Sequence, residues 1–302
     1  MHRRDVILGD LQQRLTSGMH LGRLRTGERL GSARQTARDA GADYRTVVGA
    51  LRGLEREGLL EIRPRGGIYV GGEVQRQGEA VPACEDRIVE LALEELAAGG
   101  QVPALGERLM HCLDTARLRA ACIECNEDQL YFLRDELRGR FGLAGDPVEI
   151  ARLRGGVPLA VRQADVLVST CFHAGVVRHL AARLGKPFVL VTLDPRRREE
   201  VTRSLAEGPV YFVGTDSRWA AKARVIWGGE PGAERLHAIT LGPDSPADVP
   251  QNAAVMLMPR ARAWLGDDPL VGRALPHRGF SAETAREIVS FVVRANAPAA
   301  RR

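Results

Sequence analysis

The chain has 302 residues, 44% of them hydrophobic and 27% charged, with a formal net charge of +5 at neutral pH. That length leaves room for two domains, and the balance is ordinary for a globular protein. No apolar run approaches the roughly 20 residues of a bilayer span, and Arg3 and Arg4 lead into no signal-peptide core, so the expectation is a cytoplasmic protein without a membrane contact. The five cysteines, Cys84, Cys112, Cys122, Cys125 and Cys171, are odd in number and lack framework spacing, which predicts free thiols. Cys122 and Cys125 form a C-x-x-C, but inside a strand-like run, and the expectation is packing, with no metal site and no cofactor. Residues 1–70 hold 13 arginines against 8 carboxylates, a surplus equal to that of the whole chain, so the remainder sums to zero. A small basic unit joined to a neutral one points to a polyanion bound at one end.

In chain order, Val6, Ile7, Leu8, Leu11 and Leu15 fall at helical spacing and predict a helix over 5–17, ending before Gly18. "GRLRTGERL" reads as a turn segment. Ser32 followed by Gln35 is a capping-box signature for a short helix that closes at Gly41. In "DYRTVVGALRGLEREGLL" Asp43 can cap a further helix, Val47, Ala50, Leu51 and Leu54 make one apolar stripe, and Gly58 stops it. "LLEIRP" and "GIYV" then read as two short strands around a tight turn.

Helix, helix, turn, helix and a two-stranded wing is the winged helix-turn-helix order. The stretches "GRLRTGERLGSAR" and "TARDAGADYRTVVGALRGLEREGLLEIRPRGGIYV" resemble the DNA-binding domain of GntR-family bacterial transcription regulators over residues 5–70. The resemblance implies double-stranded DNA as partner, bound as a homodimer across two half-sites. It also implies that Arg34 reaches a guanine edge, that Asp43, Tyr44, Arg45 and Thr46 at the start of the recognition helix meet the duplex, and that Arg63, Arg65, Gly66 and Gly67 of the wing contact the backbone or minor groove. Gly31 stands where the family has proline, and Asp43 brings a negative charge where serine is common.

Residues 1–75 are thus expected to be the DNA-binding domain, and 76–118 a linker with two helices, of which 85–99 is a candidate dimer element. From 119 to 302 the chain alternates. Strand-like runs are "RAACIECN", "DPVEIARL", "ADVLVST", "KPFVLVTLD", "GPVYFVGTD", "RLHAITLG" and "AAVMLMP", with helices at 127–141, 173–184, 196–206, 217–227 and 281–295. The fold class expected is an α+β winged domain followed by a larger α/β domain with a mostly parallel sheet, as one open sheet or two small lobes. The second domain is weakly similar to periplasmic-binding-protein-like sensors.

Ligands of such sheets bind beyond the C-terminal strand ends. The residues there are Glu124 and Asn126, then Ser169, Thr170 and His173, then Thr192, then Asp216, Ser217 and Arg218, with Arg218 suited to clamp an anion. Lys186 and Lys222, the only lysines, read as solvated helix-end residues, and His111, His179, His237 and His277 lack metal-ligand spacing. No serine elbow, P-loop or dinucleotide glycine fingerprint is present. The expected function is a DNA-binding repressor controlled by a small anionic effector. The alternatives are an enzyme domain fused to a winged helix and a constitutive DNA binder whose second domain recruits a protein.

Overall fold

A computed structural model describes residues 3–63, 66–71, 84–242, 248–277 and 279–297. The wing residue Arg65, the side chains of Val6 and Ile7, and that of Cys84 lie outside the described residues.

The first unit comprises α1 (Arg3–His20), β1 (Arg29–Gly31), α2 (Ala33–Asp39), α3 (Tyr44–Arg56), β2 (Leu60–Arg63) and β3 (Gly67–Val70). Ser32 accepts the Gln35 backbone N–H at 3.3 Å and Asp43 accepts that of Thr46 at 2.9 Å, so both expected caps form. Val47, Ala50, Leu51 and Leu54 are buried against Leu15, Met19 and Ala37, and the two inward residues of β3, Ile68 and Val70, close the small core. Two expectations change. α1 runs through Gly18 to His20, because Gly18 serves close approach: a Cβ there would stand 2.7 Å from Leu24 Cδ1. The segment read as a turn contributes β1, which pairs antiparallel with β3, so the wing has three strands in the order β1-β3-β2.

α4 (Cys84–Ala97) and α5 (Val102–Cys112) form a helical hairpin, and Asn296 donates to the Cys112 carbonyl at 3.3 Å, tying α5 to the far end of the chain.

The remainder holds two parallel sheets, so the seven expected strands make two lobes. Lobe 1 contains β4 (Arg119–Glu124), α6 (Glu127–Phe141), β5 (Ala144–Glu149), a 3₁₀ turn (Ile150–Gly155), α7 (Leu159–Gln163), β6 (Val166–Thr170), α8 (Ala174–Leu184) and β7 (Phe188–Val191), in strand order β5-β4-β6-β7. α9 (Pro195–Glu207) crosses to lobe 2, where β8 (Val210–Gly214), α10 (Ser217–Trp227), β9 (Leu236–Thr240) and β10 (Ala254–Leu257) give the order β10-β8-β9. After α11 (Pro259–Leu265) and α12 (Pro269–Arg273) the chain returns: Phe280 bridges Leu193, and α13 (Ala282–Asn296) packs on β7. Continuous apolar strands such as "VLVST", buried at every position, require helices on both faces, and the amphipathic helices supply them. The first strand of each sheet is internal, with the second strand on one side and the third on the other. Each sheet therefore has a switch point where loops diverge and a crevice opens, outside Glu124 and Thr170 in lobe 1 and outside Gly214 in lobe 2.

Candidate functional site

The first turn of α3 presents Tyr44 and Arg45 to solvent, with Arg34 exposed on α2 beside them. Arg34, Arg38 and Tyr44 line one shallow depression between the two helices. The Thr46 hydroxyl donates to Asp43, so this threonine is held by its cap and is only partly exposed. In the wing, Arg63 donates from Nε and Nη2 to Glu61 at 3.0 and 2.9 Å and lies 4.2 Å above the Tyr69 ring. Glu61 and Arg63 each strengthen the other's charge, mainly through that hydrogen bond. Arg63 thus shares its charge with a carboxylate at the solvent-exposed surface of the wing. Gly66 accepts the Tyr69 hydroxyl at 3.2 Å. Gly67 has φ +107°, and a Cβ there would meet the Gly31 carbonyl at 2.6 Å, so it is the close approach of β3 to β1 that demands glycine.

The second site is the switch-point crevice of lobe 1. β4 ends in Glu124, wholly buried; β6 ends in Ser169 and Thr170, and His173 starts the turn into α8. Glu124 accepts the Thr170 N–H at 3.0 Å together with its hydroxyl, and the Ser169 hydroxyl donates to the Ile123 carbonyl at 2.7 Å. Asn126 caps α6 through the Gln129 N–H at 2.9 Å. Lys222, from α10 of lobe 2, enters the same crevice. Its Nζ donates to Gln129 Oε1 at 2.7 Å, lies 3.3 Å from both Glu124 Oε2 and Cys125 Sγ, and sits 4.2 Å above the Phe172 ring. Lys222 is thus largely covered, with 12% of its side chain exposed, and paired, contrary to the solvated residue expected. His173 Nε2 lies 3.3 Å from Glu124 Oε2, an ion pair when the ring is protonated.

The electrostatics follow from that packing. Burial alone would raise the Glu124 pKa, but Lys222, His173 and Thr170 outweigh it and hold the carboxyl ionised well below its usual range. Burial would lower His173, yet Cys125 and Glu124 raise it to about 9. Burial would raise Cys125, yet His173 and Lys222 bring its thiol below the ordinary value, whereas at the fully buried Cys122 and Cys171 burial prevails and pushes the thiols up to about 12.

Of the ligand candidates, Glu124, Asn126, Ser169, Thr170 and His173 do come together. Asp216, Ser217 and Arg218 face them across the lobes: Asp216 accepts the Glu127 N–H at 3.0 Å, and Asp128 accepts those of Thr215 and Asp216, each at 2.8 Å. Arg218 is committed to Asp216 at 2.7 Å and to Glu149, so its guanidinium is neutralised rather than offered to an anion. Thr192 lies apart, bonded at 2.7 Å to Ser281 where the chain re-enters lobe 1. The sequence reading missed Cys125, Gln129, Asp128 and Lys222. Lys222 left one signal, a lysine kept in a chain whose other cations are almost all arginine. A cavity of about 770 Å³ lies elsewhere, between β7 and α13, with Thr26 at its edge.

The winged unit is seated on both lobes above the crevice. Cys171 Sγ of lobe 1 donates to the Thr16 carbonyl at 3.1 Å, Ser17 donates to the Val225 carbonyl of α10 at 3.3 Å, and Arg23 pairs with buried Glu230 of lobe 2 at 2.8 Å. Arg178 of α8 donates to the Glu57 carbonyl at 3.2 Å, at the end of α3. His20, 3% exposed, packs on Phe172 with ring centroids 5.4 Å apart, and its Nδ1 is buried without a partner.

Among the described residues no helix is long and apolar enough to cross a membrane. No curated protein matches the chain. Among solved structures, "Crystal Structure of Transcriptional Antiterminator from Listeria monocytogenes EGD-e" is similar at 19% identity over 33% of this chain and 76% of that one, with a TM-score of 0.20, too low to bear on the fold. The model of the family described as "Bacterial regulatory proteins, gntR family" matches residues 9–70, the stretch that folds as α1 to β3. The N-terminal unit of this chain is therefore a GntR-family winged helix-turn-helix.

Proposed function

We propose that the chain is a cytoplasmic, homodimeric transcriptional repressor whose operator affinity is set by a small polar effector taken up in the crevice between the lobes. The observation that carries the reading is the seating of the winged unit: it touches α8 and the Cys171 turn of lobe 1 and α10 and Glu230 of lobe 2 at once. Any change in the angle between the lobes must then move α1 and α3 together. A ligand preferring one lobe arrangement shifts operator affinity by its differential binding, typically about 1–3 kcal/mol.

DNA is held by Arg34 and Arg45, exposed on the groove-facing side of α2 and α3, beside the amides at the start of α3. The second protomer is placed by the hairpin of α4 and α5. Val89, Leu93 and Leu96 on α4, with Val102 and Leu109 on α5, are all exposed and fall at i, i+4 and i+7 spacings. An apolar stripe on two adjacent helices suits a self-complementary bundle with the same hairpin of a second copy.

Selection of binding sites from randomised duplex, followed by fluorescence anisotropy, tests the operator reading. The parent should select a two-fold-related site, and Arg34→Ala with Arg45→Ala should lower its affinity at least about thirtyfold, two groove or phosphate contacts at roughly 1–3 kcal/mol each, with an unchanged circular dichroism spectrum. A double variant that binds as tightly as the parent would refute it.

A further inference from the structure

We propose that Glu124, Cys125 and His173 form a site for one divalent transition-metal ion of the zinc class, which enters by displacing the Lys222 ammonium. A carboxylate oxygen, a sulfur and an imidazole nitrogen from the two segments at the switch point lie within 4.8 Å of one another. Tetrahedral zinc, bonded at about 2.0–2.3 Å, sets its ligands about 3.5 Å apart, so a contraction of about 1 Å gathers the three. Cys125 follows the last residue of β4 and His173 lies in the turn before α8, where side-chain rotation supplies that movement without disturbing a ladder.

The donor chemistry selects the ion. A thiolate with an imidazole is too soft for calcium or magnesium and suits zinc and its first-row neighbours. The crevice already holds a cation at this point, since Lys222 Nζ stands 3.3 Å from two of the three donors. His173 Nε2 has the Glu124 carboxylate beside it at 3.3 Å, and Nδ1 of His20, whose ring also packs on Phe172, is buried without a partner. Lys222 Nζ stands at these donors over the Phe172 ring, so an ion the size of the ammonium can take its place without parting the lobes. Three protein ligands leave a fourth position for water or an exogenous donor.

Binding would also reach the winged unit. Lys222 projects from α10, and α1 rests on α10 through Ser17. This regulatory consequence rests on the crevice being the effector site; the metal site itself does not.

The test is titration of the reduced, tag-free full chain with Co²⁺. We expect a thiolate-to-cobalt charge-transfer band, with the visible absorption of a four-coordinate ion, saturating at one ion per chain and bleached by Zn²⁺. Cys125→Ser should abolish the band and Cys112→Ser should leave it. His173→Ala should weaken binding. Lys222→Met should tighten it about tenfold, because the competing ammonium is gone. A parent chain without the band, a band undiminished in Cys125→Ser, or Co²⁺ binding not tightened in Lys222→Met would overturn the proposal. If cobalt binds as described but operator affinity is the same with and without the ion, the metal site stands and the effector role of the crevice fails.

Discussion

Asp43 does two opposed things at the start of α3. It caps the helix through the Thr46 amide and hydroxyl, and it places a negative charge where phosphates would approach. Asn caps as well as Asp, so Asp43→Asn should keep the helix while raising affinity for duplex DNA; anisotropy at two salt concentrations reads this, and an affinity equal to the parent's would show that Asp43 lies off the phosphate path. Asp43→Ala removes the cap at a cost of about 1 kcal/mol, which should speed hydrogen exchange of the first α3 amides about fivefold. Gly67 is the other residue whose role depends on a single contact. Gly67→Ala would have to adopt φ +107° with its methyl 2.6 Å from a carbonyl, so we expect a loss of roughly 2 kcal/mol or more in the wing, seen as faster exchange of the β3 amides. The caps and the apolar stripe of α3 were legible because they depend on neighbours within four residues. Lys222 was not: its partners are 93 to 98 residues away, and helical spacing says which face of α10 it occupies, not that lobe 1 covers that face.

At the scale of elements, the seven strands and the longer helices could be read directly, because continuous apolar runs bounded by glycine, proline and capping residues leave little choice of period. α7, α11 and α12 were not, being only five to seven residues long, too short to show a period, and started by proline or by the residue after it. β1 was also hidden, since three residues show no alternation and only their pairing with β3 defines a strand. The choice between one sheet and two lobes was not available locally, because it is made by α9 and by the return of Phe280 to Leu193, both long-range facts. The hairpin of α4 and α5 carries a prediction of its own. If Val89, Leu93 and Leu96 meet their equivalents in a second copy, Val89→Asp with Leu96→Asp should turn a dimer into a soluble monomer in sedimentation velocity. The same variant should lose the two-half-site complex and retain single-site DNA binding. A dimer that survives both substitutions would move the interface off this hairpin.

For the whole molecule, the seam between the winged unit and the lobes is the feature on which the proposed regulation depends, and His20 gives it a pH signature. Its ring is buried against Phe172 of lobe 1; burial first, then the nearby Lys222 and Arg197, outweigh Glu124 and push its pKa down to about 3 from 6.5. A folded state that refuses a proton which the unfolded chain accepts loses stability as pH falls through 6.5. At pH 5.5, one unit below the unfolded value, the loss is about 1.4 kcal/mol, and it continues to grow until pH 3. Other groups titrate in the same window, His173 among them with the opposite sign, so the parent's own pH profile isolates nothing. His20→Gln does, because every other group is common to both chains. With chelator present, the stability difference between variant and parent should move by about 1.4 kcal/mol in favour of the variant between pH 7.5 and 5.5, measured by urea unfolding. A difference independent of pH would mean that His20 is open to water, and that the winged unit is not clamped over the crevice as the Cys171–Thr16 and Arg23–Glu230 contacts describe.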